Sequence, residues 1–252
     1  MRLYGLIGYP LSHSFSAKYF AGKFAAEGIT DCEYRLFPMD NMDKLLPLIH
    51  ENEQLCGLNV TIPYKEAVIR FLDELDENIH YIGAVNTIKI SRRNNQLVLK
   101  GYNTDSYGFS GALAPYVKGV TGGKALILGT GGASKAVAYV LGKLGFSITW
   151  VSRKPKQAGQ LSYQEVTPAV VAEHRLIVNT SPAGMYPAVD TMPDIPYPVL
   201  TDDHILYDLV YNPGETRFMA MGKQQGATVI GGLQMLHLQA DKAWEIWNSE
   251  RL

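Results

Sequence analysis

The stretch Lys124-Ala125-Leu126-Ile127-Leu128-Gly129-Thr130-Gly131-Gly132-Ala133-Ser134 decides the fold. Ala125 to Leu128 form an unbroken apolar run, as a parallel strand buried on both faces requires. An Ala- and Val-rich segment follows and reads as a helix to about residue 145. Strand, glycine-rich turn and helix together are the Rossmann arrangement. Gly129 permits the tight turn, and Gly131 lets backbone approach a pyrophosphate. The helix start offers unpaired N–H groups and the positive end of its dipole to phosphate. Ser134 stands where the third glycine of GxGxxG is expected.

The next strand, residues 147–151, sets the flavour of the dinucleotide. Enzymes that use NAD place a carboxylate at its end to hold the ribose 2′-hydroxyl. Here it runs into Ser152-Arg153-Lys154-Pro155-Lys156, which has no acid. Arg153 and Lys154 suit a 2′-phosphate, so NADP is expected. Standing alone, the same residues would read as a solvated basic turn. Further strands are expected over 176–179, 205–210 and 228–230, and a helix over 106–115. A final helix over 233–249 carries Leu236, Ala240, Ala243 and Trp244 on one face. Residues 182–198, rich in proline, read as a long surface loop.

Toward the N-terminus the same alternation continues. Strands are expected over 3–8, 33–38 and 57–62, and helices over 17–27, 42–52 and 65–75. Gly28 closes the first helix. Residues 82–90 and 96–101 form a hairpin through Asn94-Asn95. These elements make a first, mostly parallel α/β unit of about a hundred residues. Within it, Gly57-Leu58-Asn59-Val60-Thr61-Ile62-Pro63-Tyr64-Lys65-Glu66 alternates apolar and polar until Pro63 ends the strand. Asn59, Thr61 and Lys65 therefore gather where open α/β sheets bind ligands. An amide, a hydroxyl and an amine suit a small ligand rich in hydroxyls.

Composition narrows the function classes. The 252 residues suffice for one large domain or two small ones, each with a real core, and 46% hydrophobic with 19% charged is an ordinary globular composition. A net charge of -1 argues against nucleic acid or an anionic membrane as partner. Cys32 and Cys56 form no CxxC pair and read as small core residues or as free thiols in a reducing compartment. No signal peptide or membrane-spanning run is expected, so the location is cytoplasmic. The six histidines have no metal-ligand spacing, and no metal site is expected.

Several further segments, in order, resemble the shikimate dehydrogenase family. They are Pro10-Leu11-Ser12-His13-Ser14-Phe15-Ser16, Asn59-Val60-Thr61-Ile62-Pro63-Tyr64-Lys65, Gly83-Ala84-Val85-Asn86-Thr87 and Gly101-Tyr102-Asn103-Thr104-Asp105. The glycine turn, residues 179–185, Asp208-Leu209-Val210-Tyr211-Asn212-Pro213 and Gly231-Gly232-Leu233-Gln234-Met235-Leu236 complete the pattern. The resemblance implies reversible NADPH-dependent reduction of 3-dehydroshikimate to shikimate, in the pathway to chorismate and the aromatic amino acids. It implies two α/β domains, with a substrate-binding sheet in residues 1–102 plus 232–252. A Rossmann-type NADP domain occupies 103–231, with a cleft between the two, in a monomer or homodimer. By resemblance Lys65 and Asp105 are catalytic. Ser14, Ser16, Asn59, Thr61, Asn86, Tyr211 and Gln234 bind substrate. Gly129, Thr130, Gly131, Gly132, Ala133, Ser152, Arg153, Lys154, Thr180, Met185, Val210 and Gly231 bind cofactor. Ala17 replaces a usual proline, Ser152 a usual asparagine, and Lys154 a frequent threonine.

The chemistry is consistent with these residue types. Hydride transfer to a carbonyl leaves an oxyanion that must gain a proton, and a lysine can donate it. A helix starting at Lys65 would disfavour extra positive charge and help the amine act as a base. Asp105 would hold the amine but favour the ammonium. Each residue also has a structural reading. Ser14 and Ser16 suit a helix cap, Asn86 a loop-holding amide, and Gln234 a helix-start hydrogen bond. Two alternatives stay open: a quinate/shikimate dehydrogenase of relaxed specificity, and a non-catalytic protein that binds NADPH or shikimate.

Overall fold

The computed structural model describes residues 1–11, 14–93, 96–118 and 122–249. The expected turn at Asn94-Asn95 and the Ser12-His13 part of the first loop lie outside them. The chain divides into two compact units, Met1–Thr104 with Ala240–Leu252, and Asp105–Gln239.

The first unit is built on a six-stranded sheet. Its elements run β1 (Arg2–Gly8), α1 (Ser16–Ala26), β2 (Cys32–Pro38), α2 (Leu45–Glu51), β3 (Leu55–Val60), β4 (Glu74–Leu75), α3 (Ile79–Ile82), β5 (Thr87–Arg93) and β6 (Gln96–Tyr102). The strand order is β2-β1-β3-β5-β6-β4. β1 pairs in parallel with both β2 and β3. β5 runs antiparallel to β3 and β6. One face of the sheet carries Leu3, Ile7, Leu45, Ile49, Leu58, Val68, Val85 and Ile88 in a single buried cluster. On the other lie Tyr4, Phe20, Phe24, Ala240, Ala243 and Trp247, contributed by β1, α1 and the end of the last helix. Gly28 has φ +66, the left-handed conformation that favours glycine at a helix end.

Two expectations fail near the centre of this unit. β3 stops at Val60, and Ile62 is exposed rather than in the core. The expected helix over 65–75 is a five-residue 3-10 turn, Ala67–Phe71, followed by the edge strand β4. The cause is tertiary. The Asp73 amide donates to Leu99 O at 2.9 Å, the Asp73 carboxylate accepts from the Leu99 amide at 2.7 Å, and the Asp76 amide donates to Gly101 O at 2.9 Å. Those bonds pull 73–76 onto the edge of β6 and end the helical path. No helix dipole therefore bears on Lys65.

The second unit is a six-stranded, wholly parallel sheet. Its elements are α4 (Thr104–Leu113, starting at the boundary), β7 (Gly123–Leu128), α5 (Gly132–Lys143), β8 (Phe146–Val151), β9 (Gln160–Leu161), α6 (Pro168–Glu173), β10 (Leu176–Asn179), β11 (Ile205–Asp208), α7 (Arg217–Gln224), β12 (Thr228–Ile230) and α8 (Leu233–Asn248). The order is β12-β11-β10-β7-β8-β9. The chain moves outward one way from β7 through β9, then returns to β10 and moves the other way. The β10/β7 junction is thus the switch point at which doubly wound sheets bind ligands. Residues 182–196 form no helix or strand, as expected of the proline-rich segment. On α8, Trp247 is buried while Trp244 is only partly so, so the predicted apolar face is rotated. Sequence reading missed α3, β9, α6 and α7. Among the described residues no helix is long and apolar enough to cross a membrane, and no cluster of three His, Cys, Asp or Glu residues is placed to hold a metal.

Two substitutions test this packing. Gly57 lies under Trp247, whose Nε1 donates to Ile88 O at 3.0 Å. A methyl at position 57 would overlap the indole, so Gly57→Ala should destabilise the protein by about 2 kcal/mol in chemical denaturation. A neutral result would contradict the packing described. The second concerns Asp208, a carboxylate with no solvent exposure at the end of β11. Burial pushes its pKa up to about 6, against the hydrogen bonds from Thr216, the Val210 amide and Asn179 that favour the anion. An acid raised in this way binds its proton more tightly folded than unfolded. The folded state is therefore penalised as pH rises through this range, by about 3 kcal/mol in total once both states are ionised. Asp208→Asn carries no such penalty. Its melting temperature should gain on that of the parent between pH 4 and about 6.5 and hold a constant lead above. A difference independent of pH would show that Asp208 is not the titrating group.

Candidate active and cofactor site

In the first unit the predicted substrate residues converge on one edge of the sheet. β1 and β3 are parallel, so their C-terminal ends lie side by side, and β5 is antiparallel, so it begins there. Asn59 sits opposite Thr87 in the register. Beyond the strands the backbones stay joined: the Thr61 amide donates to Ile7 O at 2.9 Å, and the Tyr9 amide to Ile62 O at 3.0 Å. Asn59 is buried. Its Oδ1 accepts from the Tyr34 hydroxyl at 2.8 Å, and its Nδ2 donates to Thr87 Oγ1 at 3.3 Å.

Asn86 is also buried, just before β5. Its Oδ1 accepts from the Thr104 amide at 2.7 Å, and its Nδ2 donates to Thr104 Oγ1 at 2.9 Å. Its side chain therefore holds the start of α4, which is the loop-holding role. Its backbone joins both neighbours, accepting from Val60 and donating to Tyr102. Ser14 Oγ accepts from the Ser16 amide at 3.3 Å in a turn just ahead of α1, whose N-cap is Phe15, and keeps its own proton to donate. Lys65 is half-buried on a fixed backbone. Its carbonyl accepts from the Val85 amide at 2.7 Å, and the preceding Tyr64 is buried with its hydroxyl donating to Met39 O at 2.6 Å.

The second unit gathers the predicted cofactor residues from five separate segments. Because the strands are parallel and in register, Leu128 lies beside Val151 and Asn179, and Asn179 beside Asp208. The Gly129 turn, the Ser152–Lys154 turn, Thr180, Val210 and Gly231 therefore occupy one edge. Gly129 has φ +121, and a side chain there would strike Thr180. At Gly131 an added Cβ would meet nothing within 4 Å, so space lies open before α5. This helix has 12 residues and no acid in its first turn. Ser134 fits the third glycine position by turning inward: it is fully buried, with Oγ donating to Gly131 O at 2.5 Å. A pyrophosphate fits this turn. Arg153 and Lys154 are exposed on the next turn with no acid beside them in sequence, as a 2′-phosphate requires.

Asp208 and Asn179 fix the remaining loops. Asp208 accepts from Thr216 Oγ1 at 2.6 Å, Asn179 Nδ2 at 2.9 Å and the Val210 amide at 3.0 Å. Asn179 Oδ1 in turn accepts from Ser181 Oγ at 2.7 Å. Gly232 donates to Val210 O at 3.2 Å, and a Cβ there would collide with Leu209 O. Met185 is exposed, Tyr211 half-buried, and Gln234 exposed in the first turn of α8. Asp105 is buried in the first turn of α4, where the helix dipole favours a carboxylate. Sequence reading missed Tyr34, Thr87, Thr104 and Thr216 because their partners are remote in the chain.

Comparisons with known proteins identify the family and the fold. Residues 6–88 match the model of the shikimate dehydrogenase substrate binding domain. The chain is 38% identical to the NADP(+) shikimate dehydrogenase of Carboxydothermus hydrogenoformans, over 98% of this chain and 91% of the relative. It superposes on the crystal structure of shikimate dehydrogenase 1 from Peptoclostridium difficile with a TM-score of 0.84 and 36% identity, covering 100% of this chain and 93% of the other. For the Thermus thermophilus shikimate 5-dehydrogenase in complex with NADP(H) and shikimate, the TM-score is 0.83 and the identity 31%, over 98% and 94% of the two chains. Motifs, sheet topology and full-length similarity agree, and the chain belongs to the shikimate dehydrogenase family.

Proposed function

We propose that this protein catalyses the reversible NADPH-dependent reduction of 3-dehydroshikimate to shikimate. The observation that carries the reading is that Asn59, Thr61 and Asn86 gather at one strand edge of the first sheet, and the Gly129 turn, the Ser152–Lys154 turn, Thr180, Val210 and Gly231 at one strand edge of the second. Residues 1–102 with 232–252 are assigned to substrate, and 103–231 to NADP.

NADPH, when bound, supplies the hydride. The N–H groups at the start of α5 hold its pyrophosphate, and Ser152, Arg153 and Lys154 its 2′-phosphate. Thr180, Met185, Val210 and Gly231 complete the cofactor contacts. Ser14 and Ser16 donate to the substrate carboxylate. Asn59, Thr61, Asn86, Tyr211 and Gln234 bind its hydroxyls, a task that suits side chains able to donate and accept. Lys65 protonates the alkoxide formed at the carbonyl carbon, and takes the hydroxyl proton in the reverse direction. Asp105 acts with Lys65 in that transfer. The fixed backbone on either side of Lys65 limits the freedom its amine must lose to reach the reacting oxygen.

Lys65→Ala should lower kcat by about a hundredfold or more while the KM for shikimate changes modestly. An equal loss expressed only through KM would remove Lys65 from the chemical step. Arg153→Ala should raise the KM for NADPH roughly tenfold and leave that for NADH nearly unchanged. A parallel rise in both would make Arg153 a structural residue.

A further inference from the structure

Tyr34 lies in the middle of β2, opposite Tyr4 in the register. Its ring stacks on Phe20 of α1 with centroids 4.4 Å apart and an interplanar angle of 14°. Trp247 lies against the same ring at 6.4 Å. By ring packing alone this is an ordinary core aromatic. Its hydroxyl is not ordinary, because it leaves the apolar cluster and donates to Asn59 Oδ1 at 2.8 Å.

That bond fixes which way the Asn59 amide faces. The Asn59 Nδ2 is directed at Thr87 Oγ1, 3.3 Å away, and at the carbonyl of Asn86, 3.5 Å away. A backbone carbonyl can only accept, so the nitrogen must lie on that side and the oxygen on the side of Tyr34. Burial raises the Tyr34 phenol well above its usual range, while a hydrogen bond with Ser16 works in the other direction. The phenol therefore stays protonated at neutral pH and remains a donor. The hydroxyl thus carries a polar link from β2 to Asn59, near the end of β3.

We infer that Tyr34 is a positioning residue for the substrate, one that orients the Asn59 amide. The inference rests on the proposed role of Asn59 in holding the substrate. Without the phenol, Asn59 Oδ1 loses its donor, and the amide can rotate away from the orientation that binds a substrate hydroxyl.

Tyr34→Phe keeps the ring and its stacking and removes only the hydroxyl. It should raise the KM for shikimate roughly tenfold, leave the KM for NADP and the melting temperature close to those of the parent, and change kcat by less than about twofold. A purely structural tyrosine would instead lower the melting temperature without separating the two Michaelis constants. The decisive experiment is the double-mutant cycle with Asn59→Ala. Because Tyr34 acts through Asn59, Tyr34→Phe should have no further effect on shikimate KM in the Asn59→Ala background. Independent, additive losses would overturn the inference. So would an unchanged KM in Tyr34→Phe when Asn59→Ala raises it, a result that keeps Asn59 as a substrate residue. If Asn59→Ala itself leaves the shikimate KM unchanged, the reading of Asn59 fails and the inference falls with it.

Discussion

Buried side-chain amides at strand ends are the constraint on which the rest of the structure depends. Asn59, Asn86 and Asn179 are each almost or wholly inaccessible to solvent. A buried amide without partners costs on the order of 1–3 kcal/mol, so each must find several. Each finds them on a neighbouring chain segment. Asn59 joins β3 to β2 and β5, and Asn86 joins the start of β5 to the start of α4. Asn179 joins the end of β10 to Asp208 at the end of β11. Loops at strand ends are ordinarily mobile and variable. Here the polar groups that leave each sheet are bonded within their own unit, and each set fixes the strand-end loops of that unit.

Much of the second sheet was legible because fully buried parallel strands are short apolar runs. Leu176–Asn179 and Thr228–Ile230 begin and end at the expected residues. The glycine turn was legible because φ +121 at Gly129 is open chiefly to glycine. Ser134 broke the pattern in sequence and fits it in structure, since its hydroxyl bonds within the turn. The segment after Pro63 was misread because residues 64–70 have local helical character. The bonds of Asp73 and Asp76 to β6 are long-range and leave no local trace. Tyr34 was missed for a related reason: an aromatic in a strand reads as core, and nothing local in the sequence shows where its hydroxyl goes. Asp208 was visible only as part of a resembling motif. Its partners Asn179 and Thr216 are 29 and 8 residues away.

The two sheets divide the work by chemistry. The second offers backbone N–H groups and cations, which suit phosphate. The first offers neutral hydroxyls and amides with one lysine, which suit a polyhydroxylated acid. Buried Asp208 is a cost that this arrangement accepts. Its anion is disfavoured by burial, yet it holds Thr216, Val210 and Asn179 together. Structures tolerate such local penalties where they fix a functional loop.

The most direct measurement is the initial rate of 3-dehydroshikimate reduction by the unaltered protein, followed at the nicotinamide absorbance band with NADPH and with NADH. The account predicts turnover with NADPH at a kcat/KM at least about tenfold above that with NADH, since Arg153 and Lys154 are proposed to meet the 2′-phosphate and no carboxylate directly follows β8 in sequence for the 2′-hydroxyl. No turnover with either cofactor, or a preference for NADH, would contradict it.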